Sequence, residues 1–387
     1  MVPDDMAAWC ALNLTFGFEP LKGHALVRAL GDPAAAFRIS RNRAREILGP
    51  SKYLDALTPR TLEQARDSLE GLLRSGYRFI GYGDPDYPAL LRECDDPPLG
   101  LYLRSTSAPA EIFRPDRPAV AIVGTRDISP YGTEWCQRIV TTLARTPEKP
   151  LIVSGLAIGT DGIAHRTALE QGLPTVGVMA TGIDDVYPFR HGALSARMAR
   201  TPGCGLVTDY PPGTAPLAVH FLRRNRIIAG LCRAVILVES KVRGGGMMTA
   251  RLAASYDRDV LVLPGRADDL RSQGCNLLLR EKLAEPVTDL DTLPAQLGLG
   301  AAPRQRPRDL PAEIHASYDG RLPAERVERL AELAACIRER RGIGLDALCR
   351  ETGRTYGEVA ADTGILAADG FICMDLLQNC TIKPKNM

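Results

Sequence analysis

Apolar positions change their spacing twice along this chain. From about Met6 to Gly71 they recur at helical intervals, broken by Gly-Asp-Pro at Gly31 to Pro33 and by Gly-Pro at Gly49 and Pro50. That pattern predicts a small helical region. Between Gly76 and Arg104 two short β-like pieces, YRFIGYG and LGLYLRS, enclose the proline-rich DPDYPALLRECDDPP; they are expected to flank a main sheet. From Ala119 onward, apolar runs end in glycine or polar loops, and each is followed by an amphipathic segment. The runs are AVAIVG from Ala119, LIVSG from Leu151, TVGVMA from Thr175, GLVTDY from Gly205, AVILVES from Ala234 and DVLVLPG from Asp259. Continuous Val/Ile/Leu runs of this length suit strands covered by helices on both faces, so the pattern predicts a parallel α/β sheet. Ser129 and Pro130 form a suitable N-cap and first-turn pair for the first crossover helix.

After Leu293 the stretch PAQLGLGAAPRQRPRDLP has the composition of an exposed linker. The remainder offers three helical segments and a final β-like GFICMDLLQNCTIK, the element order of a winged helix. The expected boundaries are 1–75 for the helical region, 76–293 for the α/β domain, 294–320 for the linker and 321–387 for the winged helix.

A length of 387 residues is too great for one small core and agrees with several domains. Hydrophobic residues at 45% and charged residues at 24% exclude a chain too polar to fold. The formal net charge is only +2, so any affinity for nucleic acid must come from local clusters of Lys and Arg. The ten cysteines are scattered singly, without a C-x-x-C pair or a short Cys/His cluster. They are expected to be reduced and mostly buried, with no metal site. No basic segment followed by an apolar run opens the chain, and no stretch is apolar enough to span a bilayer. A soluble cytoplasmic protein without a membrane partner is expected.

In an open parallel sheet, ligands bind beyond the carboxyl ends of the strands, where loops lead into helix N-termini. The first such loop holds Gly124, Thr125 and Arg126. The second, SGLAIGTDGIAH, holds Ser154, Gly155, Ala157, Gly159, Thr160 and Asp161. The third places Arg190 and His191 on the same edge. The fourth, HFLRRNRIIAGL, holds Phe221, Arg223, Arg224, Asn225 and Arg226 ahead of an apolar helical stretch. The fifth holds Lys241, Arg243 and three consecutive glycines. Cations on four of the five loops predict an anion-binding edge. Tyr131, Tyr187 and Phe221 are candidate rings for stacking on bases.

A dinucleotide site is the first alternative, but no loop gives G-x-G-x-x-G after its strand and no P-loop motif occurs. Separate cationic loops suit a polyanionic backbone, because each phosphate needs its own donor. Asp161 and His165 lie four apart at a helix start and could be an acid/base pair. The architectural reading is preferred, in which they join Thr160 in capping the helix and satisfying loop backbone.

Taken in order, AIVGTR, SGLAIGTDGIAH, TVGVMATGIDDVYP, RNRIIAGL, TARLA, VLVLPG and GCNLLL resemble the DNA processing protein A family, also called DprA or Smf, of bacterial natural transformation. The resemblance covers roughly Gly76 to Leu293. It implies an extended Rossmann-like domain that binds and protects single-stranded DNA without catalysis or cofactor, helps load RecA recombinase onto it, and self-associates as a homodimer. By position it places DNA contacts at Gly124 to Arg126, at Ser154, Gly155, Ala157, Gly159 and Asp161, and at Arg224, Asn225 and Arg226. The N-terminal helices resemble the family's sterile-alpha-motif-like attachment, and the C-terminal piece its winged helix.

The chain also departs from the family pattern. Leu222 stands where Phe-Pro usually precedes Arg-Asn-Arg. The fifth loop runs Gly244 to Ala250 as GGGMMTA, and Lys282 and Leu283 replace the Gly-Ala that usually follows GCNLLL. The third helix of the winged helix, TYGEVAADTGILAAD, carries Glu358, Asp362 and Asp369 but no Lys or Arg, which would repel phosphates and favours a protein contact. The rival functions are a nucleotide-hydrolysing enzyme and a nucleotide-sensing regulator. Related Rossmann-like hydrolases use Pro-Gly-Gly-x-Gly-Thr-x-x-Glu, and the nearest segment here, GGGMMTARLA, lacks the Gly-Thr step and the glutamate.

Overall fold

The computed structural model describes residues 2–300, 309–340, 342–375 and 378–383. Four helices come first, α1 (Asp4–Phe16), α2 (Pro20–Leu30), α3 (Arg41–Leu48) and α4 (Pro59–Arg74). Their breaks fall at the glycines marked in the sequence. Gly31 and Gly49 end α2 and α3 with φ of 75° and 68°, which glycine adopts without steric cost. The Ser40 and Thr58 hydroxyls open α3 and α4 by accepting the N–H groups of Arg43 and Thr61.

The sheet region follows as β1 (Arg78–Gly81), α5 (Ala89–Arg92), β2 (Gly100–Arg104), α6 (Pro109–Ile112), β3 (Ala119–Val123), α7 (Pro130–Leu143), β4 (Leu151–Ser154), α8 (Thr160–Glu170), β5 (Thr175–Val178) and α9 (Gly192–Arg200). It continues with β6 (Gly205–Thr208), α10 (Ala218–Leu231), β7 (Ala234–Leu237), α11 (Gly245–Ser255), β8 (Asp259–Val262), α12 (Gln273–Arg280), β9 (Glu285–Pro286) and α13 (Leu293–Gln296). All six apolar runs are strands, and the Ser129 hydroxyl accepts the Gly132 N–H at the start of α7.

The strands pair in the order β1-β2-β6-β5-β4-β3-β7-β8-β9. Only the β1–β2 and β2–β6 pairings are antiparallel. This is an extended Rossmann-like sheet. The chain runs outward from β3 to β6 on one side, then crosses back to place β7 on the other side of β3. Such a reversal opens a crevice beyond the carboxyl ends of the central strands.

Side chains alternate along each strand between two cores. Phe79 and Tyr102 join Trp9, Leu12 and Phe16 of the N-terminal helices. Ile80, Leu101 and Leu103 join Val123, Val153, Ile227 and Val235 on the opposite face. The N-terminal helices therefore share a core with the sheet, and each fully buried Leu or Phe there contributes about 1.5–3 kcal/mol.

The described residues group into two compact units, one drawn from 1–128 and 139–302, the other from 129–138 and 303–387. The C-terminal part of the second unit contains α14 (Leu310–Tyr318), α15 (Ala324–Glu339), β10 (Ile343–Gly344), α16 (Leu345–Thr352), α17 (Tyr356–Ala368), β11 (Ile372–Met374) and β12 (Asn379–Ile382). Its strands pair antiparallel in the order β10-β12-β11, and α15 to β12 follow the element order of a winged helix.

The stretch expected as linker has ordered elements within it. Residues 301–308 lie outside the described residues, but Leu310, Ile314 and Tyr318 of α14 are buried with Val327 and Leu330. Pro311, the last proline of that stretch, occupies the first helical turn, where its missing N–H costs nothing. The Asp309 carboxylate caps that turn by accepting the Ala312 N–H.

Cys10, Cys94, Cys136, Cys204, Cys232, Cys275 and Cys380 are buried. Among the described residues no helix is long and apolar enough to cross a membrane.

Candidate nucleic-acid interface

Loops after β3, β4 and β7, together with α10 and the start of α11, enclose a cleft of about 430 Å³ at the sheet's carboxyl edge. Gly124 leaves β3 directly. A Cβ there would come within 2.5 Å of the Thr160 hydroxyl, so only glycine lets α8 approach this closely. The Thr125 carbonyl accepts both the N–H and the hydroxyl of Thr160 at 3.2 Å. Its own hydroxyl accepts the Asp127 N–H at 3.1 Å. This turn leaves Arg126 exposed, with its guanidinium 5.5 Å from the centre of the Phe221 ring. The Phe221 ring in turn meets Tyr187 edge-on at 5.5 Å.

The second loop builds the floor. Gly159 adopts φ 79°, and a side chain there would strike the Thr125 carbonyl. Asp161 Oδ2 accepts the N–H groups of Gly155 at 3.1 Å and Ala157 at 3.2 Å. Ser154 donates its hydroxyl to the Ile122 carbonyl at 2.6 Å. Burial pushes the Asp161 carboxyl up, against the pull of Arg224 and these donors.

Thr160 and Asp161 thus satisfy loop backbone, as the architectural reading required. His165 does something else. It sits a turn further along α8 and bonds through Nδ1 to the Thr175 hydroxyl of β5 at 2.7 Å. Burial, aided by His191 and nearby arginines, holds it down at about 3, so it stays neutral and is unsuited to acid/base work near pH 7.

Arg190 is exposed in a short 3-10 turn, Phe189–His191, and does not line the cleft. The neighbouring His191 is buried and bonds through Nδ1 to the Leu156 carbonyl at 2.9 Å.

The fourth segment differs most from expectation. Arg223 to Arg226 lie inside α10 rather than in a loop before it. Arg223 lies over the Phe18 ring at 4.7 Å and donates to the Gly17 carbonyl. Arg224 is 4% exposed and donates through Nη1 to the carbonyls of Gly155 and Val178. Burial lowers its pKa to about 10, so it remains charged at neutral pH. Arg226 pairs with Asp209 at 2.7 Å and with Asp96 at 3.5 Å.

The cause is the position of α10, which is packed against α5 and α11 as well as the sheet. Its middle turn has little access to solvent, and buried guanidinium groups must find partners within the protein. Asn225 is also buried, and its amide reaches the Gly245 carbonyl at 3.5 Å. Of this group, Phe221, Arg224 and Asn225 border the cleft.

The fifth loop exposes Lys241 and Arg243 at the cleft rim. The Lys241 carbonyl accepts the Gly244 N–H at 2.9 Å and the Ser240 hydroxyl at 3.0 Å, which folds the loop back on itself. Helix α11 then opens at Gly245, with Gly244 as N-cap and no side-chain cap. Its first-turn N–H groups have no intrahelical acceptor and carry the positive end of the helix dipole. Gly246 is closely packed, since a Cβ there would lie 2.6 Å from Leu237 Cδ1 and 3.3 Å from Gly124 Cα. A Cβ on Gly245 would meet nothing within 4 Å.

Sequence reasoning placed Lys241 and Arg243 here but did not select Ser240, Gly244 to Gly246 or Thr249, which also line the cleft. The signal was the glycine run itself, directly before a helix. It also missed Arg271, which grips Asp127 at 3.0 Å and the Asp127 carbonyl at 2.9 Å. The exposed cations at the cleft are therefore Arg126, Lys241 and Arg243, while its carboxylates, Asp127 and Asp161, are engaged. Among the described residues, the cleft thus presents unpaired positive charge to solvent.

The sequence profile of DNA recombination-mediator protein A matches residues 78–298, more than half of the chain and every loop described above. The chain belongs to that family. A Mycobacterium tuberculosis protein named as a DNA processing protein DprA is 34% identical over 351 residues, covering 86% of this chain and 87% of that protein. The X-ray structure of DNA processing protein A from Streptococcus pneumoniae superposes with a TM-score of 0.64 at 28% identity, covering 76% of this chain and 98% of that one. DNA processing protein A from Helicobacter pylori, whose structure is described for its single-stranded DNA binding mode, gives a TM-score of 0.50 at 29% identity over 57% of this chain and 95% of that one. Within this DNA recombination-mediator protein A frame, the cleft occupies the point where strand order reverses around β3.

Proposed function

We propose that this chain binds single-stranded DNA without sequence preference at the carboxyl edge of its sheet, and hands the strand to a RecA-type recombinase. The observation that carries this reading is the joint presence, at one cleft, of the uncapped N-terminus of α11, three exposed cations and the Phe221 ring. Helix N–H groups and cations hold phosphates, and a ring accepts any base, so the set favours a strand over a particular sequence. The proposed contacts are Arg126, Lys241, Arg243, Phe221 and the backbone of Gly244 to Gly246. Ser154, Gly155, Ala157, Gly159, Thr160, Asp161, Arg224 and Asn225 shape the floor beneath them. Arg223 and Arg226 tie α10 to its surroundings.

The role is binding rather than catalysis. Asp161 holds two loop N–H groups and Asp127 holds Arg271, so neither carboxylate is placed to move a proton on a substrate. The family membership supports delivery to recombinase and association as a homodimer. The winged helix is assigned to protein contact, because the exposed positions of α17 are Tyr356, Gly357, Glu358, Ala361, Gly364 and Ala368, with no Lys or Arg among them. Its other carboxylate, Asp362, is buried against Arg326 at 3.2 Å and Arg329 at 3.5 Å.

A competition gel shift at two salt concentrations tests this function. Unlabelled single strands of unrelated sequence should displace a labelled strand equally, with blunt duplex and mononucleotide far weaker. Equal competition by duplex would refute the strand reading, and selective competition by a mononucleotide would favour the nucleotide-sensing alternative.

A further inference from the structure

Phe189 is 92% exposed, by far the most exposed of the large hydrophobic side chains among the described residues, yet the loop that carries it is fastened both before and after it. The Asp184 carboxylate accepts the Gly213 N–H at 2.9 Å, and the Thr181 hydroxyl donates to the Asp185 carbonyl at 2.5 Å. Two residues after Phe189, buried His191 bonds the Leu156 carbonyl. It is packed so closely that a Cβ on Gly162 would lie 2.8 Å from its ring. A ring held out by a fastened loop has lost its chance to bury itself against the protein, which singles it out from the scattered apolar residues found on any surface.

Its surroundings indicate what covers it. Two residues earlier, Tyr187 meets Phe221 at the cleft, and Phe221 lies under Arg126. Two residues of extended chain span at most about 7 Å, so Phe189 is anchored within that distance of Tyr187 along the backbone, and it does not itself line the cleft. Arg190 beside it and Arg166 on α8 are exposed cations, whereas of the two nearby acids Asp184 is already bonded. Aromatic rings interleaved with cations are the composition of a track for unpaired nucleotides.

We infer that Phe189 is a second base-stacking station, outside the cleft, which takes an unpaired nucleobase of the strand whose phosphates the cleft holds. The inference rests on the single-strand reading of the cleft, and its test must separate the two. Phe189 projects from the surface, so Phe189→Ala should fold and melt as the parent does.

Affinities of oligothymidylates of about 4 to 16 nucleotides are measured for the full chain, for Phe189→Ala, for Phe189→Trp and for Arg126→Ala. The shortest strands should bind the parent and Phe189→Ala alike. Beyond the length that reaches the station, Phe189→Ala should fall behind by at least about fivefold, the low end of the loss known for one stacked base. Phe189→Trp should recover the difference. A strand with one abasic position, scanned along its length, should show a site where the missing base weakens the parent but not Phe189→Ala.

Equal affinity of Phe189→Ala and parent at every length, with Arg126→Ala weakened, would overturn the station and leave the cleft standing. Unchanged binding in both variants, or no binding of single strands by the parent, would overturn the cleft and the station together.

Discussion

Arg226 and Asp209 form a 2.7 Å ion pair in which the side chains are only 5% and 3% exposed. Removing one partner of such a pair leaves a charge in a medium that solvates it poorly, which costs about 3–5 kcal/mol. Arg226→Ala should therefore lower the denaturation midpoint sharply, as urea unfolding would measure. The protein that remains folded should bind single strands with a parent-like salt dependence, since this guanidinium is spent on Asp209 and Asp96.

Arg224 behaves in a related way, with a link to the cleft. Its guanidinium serves the carbonyls of Gly155 and Val178 and sits close to Asp161. Arg224→Ala strands the Gly155 acceptor, at a cost of about 1–3 kcal/mol. Gly155→Ala should mimic part of this effect, because its Cβ would lie 2.3 Å from Arg224 Nη1. Both variants should melt earlier than the parent. A folded Arg224→Ala protein with full stability and a flattened salt dependence would instead place this arginine on a phosphate.

These arginines mark where sequence reasoning succeeded and where it stopped. The strands were legible because each is a continuous apolar run closed by a turn, and Gly124 and Gly159 were legible because tight loops need them. The RRNR segment announced charge but not direction. Whether a guanidinium meets solvent or carbonyls depends on which elements pack around α10, and α5, β5 and the α1–α2 junction arrive from distant parts of the chain. Arg223, Arg224 and Arg226 all turn inward, onto the Gly17 carbonyl, the Gly155 and Val178 carbonyls, and the Asp209 carboxylate. Likewise the prolines around Pro311 suggested a linker, while the apolar spacing of Leu310, Ile314 and Tyr318 held the helix.

His165 supplies a pH dependence. Thr175 donates its single hydroxyl proton to the Ile152 carbonyl at 2.9 Å, so His165 Nδ1 carries the proton shared with that hydroxyl. In the fold its pKa is about 3, against about 6.5 in an unfolded chain. Between these values the unfolded chain holds a proton that the folded chain lacks, so stability falls as pH drops from about 6.5 toward 3. His165→Gln keeps a donor for Thr175 and removes the titration. Urea midpoints measured across that range should decline less steeply for the variant. Comparing the two proteins isolates the histidine from Asp161, whose raised pKa gives a slope of opposite sign. Parallel declines would refute the assignment.

The salt dependence of binding locates the phosphate contacts. Each phosphate neutralised on a single strand contributes about −0.7 to the slope of log affinity against log salt. Arg126 and Lys241 stand on different loops, after β3 and β7, and both are exposed at the cleft, so each can take its own phosphate. The double variant Arg126→Ala/Lys241→Ala should lose affinity for every sequence alike and flatten the slope by about 1.4. Its thermal stability should stay within about 0.5 kcal/mol of the parent, because exposed cations contribute little to the fold. Arg126 also stacks on Phe221, which adds an effect that salt does not screen, and Arg126→Lys separates the two. Lysine keeps the charge and the slope but stacks less well on the ring, so its loss should persist at high salt. An unchanged slope in the folded double variant would remove the cleft from the path of the strand, whatever its affinity.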